Sequence, residues 1–130
     1  MIRRNFLKII GLFGLNSISS KSIANEKLET NLIELTECYV VGLQYYDGKN
    51  YYASKDKFLT LKREPNNIYD KKAIEVFDNN LKIGYVPKRE NRVIAKIMDQ
   101  KVDVVAKVIK FNKDEAYYNR IKVKIYQIVG

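Results

Sequence analysis

Apolar positions recur along this chain with two different periods. Leu59 and Leu61 alternate with polar neighbours in Phe58–Lys62, and Ile121, Val123 and Ile125 alternate with Lys122, Lys124 and Tyr126. A period of two puts the apolar side chains on one face of a strand. Tyr39–Leu43, Ala73–Phe77, Leu81–Val86 and Val102–Phe111 are further short runs rich in strand-forming residues, and the last strand is placed at Ile121–Val129. Asp47-Gly48 signals a turn, Asp78-Asn79-Asn80 a hairpin, and Pro87 stops the strand before it. From Arg89 to Asp99 the period changes. Val93, Ile94, Ile97 and Met98 fall on one helical face, with Arg89, Arg92 and Lys96 on the other. The pattern predicts a mainly β chain of about six strands with one helix. So many short strands in a small domain suggest a curled or closed barrel, because closure removes exposed edges.

The start of the chain follows neither period. Residues 1–24 hold four cations (Arg3, Arg4, Lys8 and Lys21) and no acid, then an apolar run Ile9–Leu15 and a polar Ser/Asn patch. They end in Ser22-Ile23-Ala24, a small-x-Ala pattern that predicts cleavage between Ala24 and Asn25. Arg3-Arg4-Asn5-Phe6-Leu7-Lys8 resembles the twin-arginine export signal, with Ile2 where that signal usually has Ser or Thr. The resemblance implies engagement of an export machinery through Arg3 and Arg4 and a periplasmic location for the folded product. Interrupted by Asn16 and Ser17, the apolar run is shorter than the ~20 residues of a spanning helix, so a stable membrane anchor is not expected. Residues 25–36 read as a polar lead-in, and 37–128 as the folded domain.

Composition narrows the chemistry. At 130 residues the chain is one ordinary domain. It has no histidine, which excludes Ser-His-Asp and Cys-His catalysis and imidazole metal sites. Its single cysteine, Cys38, excludes an internal disulfide or a Cys-cluster zinc site, and reads as a small core residue. Lys and Arg number 24 against 15 Asp and Glu, a net of +9, and removing residues 1–24 leaves +5. Ten tyrosines and five phenylalanines make recognition by stacking available. There is no Gly-x-x-x-x-Gly-Lys loop. Asp70 and Glu75 lack the lysine a nuclease would place two residues on, since Phe77 stands there. No catalytic residue, metal or cofactor is expected, and the chain reads as a binder.

Three blocks carry a resemblance: Val41-Gly42-Leu43-Gln44-Tyr45-Tyr46, Leu61 to Val76 around Arg63-Glu64-Pro65-Asn66-Asn67-Ile68-Tyr69-Asp70, and Ile83-Gly84-Tyr85-Val86-Pro87-Lys88. In order and spacing they resemble the HIRAN domain over roughly residues 37–128. That family implies an OB-like β-barrel that binds the 3′ end of single-stranded DNA, with any hydrolase activity belonging to partner translocase domains. By the resemblance, Tyr45 and Tyr46 flank the terminal nucleotides and Asn66, Asn67, Tyr69 and Asp70 form the end-binding loop. Lys88 contacts phosphate, and a base stacks on Phe111. Gln44 stands where DNA-binding members have arginine, and Ile68 where proline is common, so one phosphate contact is missing.

The residues support a mechanism of their own. A carboxylate accepts a bond from a terminal hydroxyl and repels a terminal phosphate, so Asp70 would select 3′-hydroxyl ends; equally, an Asp there ties down loop backbone. Neighbours on a strand point to opposite faces, so one of Tyr45 and Tyr46 would enter the core and the other stack. The pairs Tyr51-Tyr52 and Tyr117-Tyr118 read as partly exposed packing residues, the helix cations as a solvated face, and Gly84 as a close backbone approach or a bulge. Export points to the alternative function: a module for a protein or envelope partner that keeps the fold without the DNA site.

Overall fold

A computed structural model describes residues 31–129, and residues 1–30, including the predicted signal and cleavage point, lie outside it. The strands are β1 (Leu32–Tyr39), β2 (Phe58–Arg63), β3 (Ile74–Asp78), β4 (Leu81–Tyr85), β5 (Val104–Phe111) and β6 (Ile121–Ile128), with α1 (Lys88–Asp99) between β4 and β5. Short 3-10 turns cover Leu43–Tyr45, Asp47–Asn50 and Tyr117–Asn119. All pairings are antiparallel, in the order β1-β6-β5-β2-β3-β4.

The chain beyond β1 closes the two ends of this order. Val40 still donates to Ile121 of β6 at 2.8 Å. Val41 then bridges to Tyr85 of β4, each amide donating to the other's carbonyl at 2.9 and 2.8 Å. The result is the expected mainly β, OB-like barrel with one helix. Gly84 makes the crossing possible, since a Cβ there would collide with the Val41 carbonyl. The β3–β4 ladder also shifts register opposite Gly84, between Val76 and Phe77. Both sequence readings of this glycine therefore describe it.

Alternation fills the barrel. Leu59 and Leu61, Ile74 and Val76, Val104, Ala106 and Val108, and Ile121, Val123 and Ile125 all point inward into one buried cluster with Cys38, Val40 and Ile83. Burial of a side chain of this size contributes about 1.5–3 kcal/mol. A smaller cluster, Val105 and Ile128 covered by Leu32, Phe58 and Tyr126, lies apart from the main core. Helix α1 caps the barrel with Ile94 and Ala95 buried and Ile97 and Met98 packed beside them. Its inward face is rotated from the predicted one: Val93 is exposed and Asn91 is buried, because residues 91, 94, 95 and 98 lie on the stripe that meets the barrel.

Two other expectations shift. β1 opens at Leu32, within the segment read as a lead-in. The run Tyr39–Leu43 is not one strand: β1 ends at Tyr39, Gly42 turns left-handed at φ 79°, and Leu43 begins a 3-10 turn. On the far side, the β2–β5 ladder consists of Phe58↔Lys107 and Leu59↔Ala106. Beyond it the strands part around an open groove of about 820 Å3 between Leu61, Arg63, Met98 and Val104. None of the predicted site residues lines that groove.

Candidate nucleic-acid interface

The loop between β2 and β3 is stitched at its base. Glu64 N–H donates to Ala73 O at 3.0 Å, and Arg63 donates to Ala73 O at 2.8 Å, to Lys71 O at 3.0 Å and to the Asp99 carboxylate at 2.9 Å. Inside, Asn67 does the work that Asn does well in turns. Its Oδ1 accepts from the amides of Tyr69 at 2.8 Å and Asp70 at 2.9 Å, while its Nδ2 donates to Glu64 Oε1 at 2.8 Å. The loop tip therefore presents Asn66, Ile68 and Tyr69 to solvent, with Tyr69 85% exposed.

Asp70 is engaged through both oxygens. Oδ1 accepts from Lys72 N–H at 2.9 Å, and Oδ2 accepts from the buried Asn91 amide of α1 at 2.7 Å. Partial burial pushes the Asp70 carboxyl up, but those two bonds and the charges of Lys88 and Arg63 outweigh it and hold it below its usual value. Lys88, exposed at the start of α1, thus stands within electrostatic reach of the loop.

A second network joins the loop to the tyrosine pair. Tyr85 donates its hydroxyl to Glu64 Oε1 at 2.5 Å and accepts from Lys82 Nζ at 2.7 Å; that ammonium also pairs with Glu75 at 3.0 Å. Lys82 lies over the rings of Tyr46 and Tyr85, 4.3 and 4.4 Å from their centroids, and the two rings meet edge to face at 5.6 Å. The bonds from Tyr85 and Asn67 hold the Glu64 carboxyl below its ordinary range. Burial pulls the Lys82 ammonium pKa down, but its bonds to Tyr85 and Glu75 raise it overall. Both groups are charged at neutral pH.

Neither tyrosine of the pair enters the core. The chain has left its strand before reaching them, so strand alternation does not apply, and Tyr45 is 75% exposed. Phe111 is half-buried at the end of β5 and packs edge-on against exposed Tyr52 at 4.9 Å. Tyr51 and Tyr117 pack against the core while Tyr52 and Tyr118 stay exposed. The hydrogen bonds and ring contacts bring Tyr46, Asn67 and Asp70 into one region through Glu64, Tyr85 and Asn91; Phe111 stands with Tyr52 instead. Glu64 and Tyr85 lie inside the quoted motifs without a role of their own there, Lys82 and Asn91 carry no sequence signal, and Tyr52 belongs to a pair read as packing residues.

An OB-like barrel with a carboxylate-bearing loop beside exposed tyrosines defines a small binding domain. The HIRAN domain model matches residues 33–127, and the chain belongs to the HIRAN domain family. The helicase-like transcription factor of Oryctolagus cuniculus is 35% identical over 95 residues, covering 72% of this chain and 9% of that protein. The chain thus spans under a tenth of that relative's length. A crystal structure of a Lactobacillus plantarum protein aligns with 76% of this chain and 97% of its own at TM-score 0.65 and 23% identity. The crystal structure of the HIRAN domain of human HLTF aligns over 76% and 80% at TM-score 0.61 and 27% identity. That human domain has also been determined in a DNA-bound conformation.

Proposed function

We propose that this domain binds the 3′-hydroxyl end of single-stranded DNA and leaves it chemically unchanged. The carrying observation is the connection from Tyr46, by a ring contact to Tyr85, and on by hydrogen bonds through Glu64 to Asn67 and Asp70. It sets ionised carboxylates and an aromatic face side by side before any ligand arrives, and a preset site avoids the ordering cost of binding. Family membership supports the same reading, since a human relative's HIRAN domain has a DNA-bound form. In this reading Tyr45, Tyr46 and Tyr69 stack on terminal nucleotides, Lys88 holds a phosphate, and Phe111 with Tyr52 stacks a further base. Asn66 and Asn67 shape the loop. Gln44 supplies no guanidinium fork, so affinity is weak and Gln44→Arg tightens it.

The test is titration of one short oligonucleotide carrying either a 3′-hydroxyl or a 3′-phosphate at low salt. Preferential binding of the hydroxyl end is expected. Equal affinity for both ends, or no binding even by Gln44→Arg, refutes end recognition and leaves a module for a protein or envelope partner.

We further infer export from the Arg3-Arg4 motif and the Ala24–Asn25 junction, with the mature domain in the periplasm. Mass measurement of the product from its native host should give a chain starting near Asn25. An intact 130-residue cytosolic product rejects this.

A further inference from the structure

We infer that the groove between β2 and β5 binds an extended peptide by adding it as a strand, at a site separate from the candidate nucleic-acid interface. The two strands start out as neighbours. Val108 N–H donates to Lys57 O at 2.8 Å, and the ladder runs through Phe58↔Lys107 to Leu59↔Ala106. Two residues on, the same register would set Leu61 opposite Val104, and those two are not paired. Alternation along each strand fixes where their backbone groups point. Glu64 N–H is bonded to Ala73 O on the β3 side, so the N–H and C=O of Arg63 and Leu61 turn away from β3. Asp103 O accepts from Ile128 of β6, so those of Val104 turn away from β6. Both sets face the open groove of about 820 Å3.

A strand edge left open calls for a partner that carries N–H and C=O groups in a row. A polypeptide supplies them, and a nucleic-acid backbone has no amides to offer. In strand addition the main-chain bonds hold the peptide, and its alternate side chains select it. The lining sets that selection. Leu61 and Val104 are nearly buried and, with half-buried Met98 of α1, give an apolar floor. Lys62 on β2 and Lys101 before β5 are exposed. Of the acids at the groove, Asp99 is bonded to Arg63 at 2.9 Å and Asp103 is buried. Successive side chains of an added strand alternate between floor and mouth. The peptide that fits therefore alternates apolar with acidic residues.

None of the residues assigned to the DNA end lines the groove. The two sites stand or fall separately.

Amide exchange of the free, full chain is measured first. Leu61, Arg63 and Val104 should exchange fast, while Lys62 and Glu64, on the β3 side, stay protected. A synthetic peptide of four Val-Glu repeats is then titrated, against four Val-Lys repeats and against a Val-Glu peptide N-methylated at every residue. At ten times its Kd, the Val-Glu peptide should slow exchange at Leu61 and Arg63 about tenfold. The N-methylated peptide should not bind. Val-Lys should bind more weakly, by about two- to fivefold for each exposed ion pair lost. Lys62→Glu combined with Lys101→Glu changes two exposed side chains, so the fold should persist and the preference should invert to Val-Lys. An oligonucleotide ending in a 3′-hydroxyl should neither displace the peptide nor slow these amides. Protection of Leu61 and Arg63 in the free chain overturns the open edge. No binding of the Val-Glu peptide, equal binding of its N-methylated form, or an unchanged preference in the double variant overturns strand addition. Protection of the same amides by the oligonucleotide makes the groove part of a nucleic-acid path and overturns the peptide site.

Discussion

Gly84→Ala tests the closure of the barrel. The added methyl would collide with the Val41 carbonyl and lie 3.0 Å from Val40 Cγ1 and 3.3 Å from Leu43 Cδ1. Val40 and Leu43 are fully buried, so neither can step aside. Overpacking of this kind costs about 1–3 kcal/mol. Relief by moving Val41 away also breaks the reciprocal bonds with Tyr85, 2.9 and 2.8 Å long, each worth about 1 kcal/mol. The expected loss is about 3–5 kcal/mol, a large share of the 5–15 kcal/mol typical of a domain. Urea unfolding should show the midpoint falling by about 1–5 M at an ordinary slope of about 1–3 kcal/mol per M. Amide exchange should quicken at Val41 and Tyr85 before it does elsewhere. Gly42→Ala is the control: its Cβ would meet nothing closer than 3.7 Å, and its burden is the backbone at φ 79°, about 1–2 kcal/mol. A Gly84→Ala protein as stable as the native one, with both amides protected, would refute closure at this bridge.

Asn91→Ala should lower stability by about 1.5–3 kcal/mol, since it removes a buried donor to a charged carboxylate; denaturant titration checks this, and amide exchange at Lys72 should rise with it. Acid should weaken the fold: Glu64, Asp70 and Asp99 all have lowered pKa values when folded. Their contribution is complete above the unfolded carboxylate values near 4.5 and 3.8 and is lost as pH falls through the lower folded ones. Urea midpoints measured from pH 6 down should drop below about pH 4.5, less steeply in Glu64→Gln, and a flat profile contradicts the network. Lys88→Ala should weaken binding of every single strand and reduce its salt dependence, whereas Phe111→Ala should cost about 1–3 kcal/mol whatever the terminus; both are read by titration at two salt concentrations.

Five strands were legible: β2 and β6 because one face meets the core and writes a period of two into the sequence, and β3, β4 and β5 as short runs rich in strand-forming residues. β1 was not, for physical reasons. It lies at the end of the strand order, exposes Ile33, and shifts register between Glu34 and Thr36, so its alternation is broken where it would be counted. The apolar run Tyr39–Leu43 spans a strand end, the crossing at Val41 and a turn that buries Leu43. In the candidate site, the loop residues were legible as a motif, but their partners were not. Tyr85 reaches Glu64 and Asn91 reaches Asp70 across 21 residues each, distances set by sheet pairing and helix docking rather than by any local spacing. Asn91 is buried where the apolar pattern of α1 favours Val93, which is exposed, so the pattern carries no sign of a polar group on the inward face.

The charge of the chain and the charge of the loop pull in opposite directions, and end recognition needs both. Beyond residues 1–24 the domain carries +5, which attracts a polyanion from a distance. On the proposed reading, a strand that reaches the loop meets the ionised carboxylates of Glu64 and Asp70. An internal nucleotide has a phosphate on each side of its sugar and cannot place one beside these acids without repulsion. The terminal sugar alone offers a 3′ oxygen that is uncharged and donates. By the same proposed reading the acids would exclude strand interiors as well as phosphorylated ends, leaving Lys88 for the phosphate on the 5′ side of the last nucleotide. Salt separates the two effects. Raising it screens attraction beyond the Debye length, about 8 Å at physiological strength, so affinity should fall for both ends. The preference for hydroxyl is set at contact distance and should change far less across the same range. Titrations of the two ends at 0.05 and 0.2 M salt, roughly the span over which phosphate contacts lose most affinity, should give falling curves with a nearly constant ratio. A ratio that collapses in step with affinity would mean that the discrimination arises from the diffuse field and not from the carboxylates of the loop.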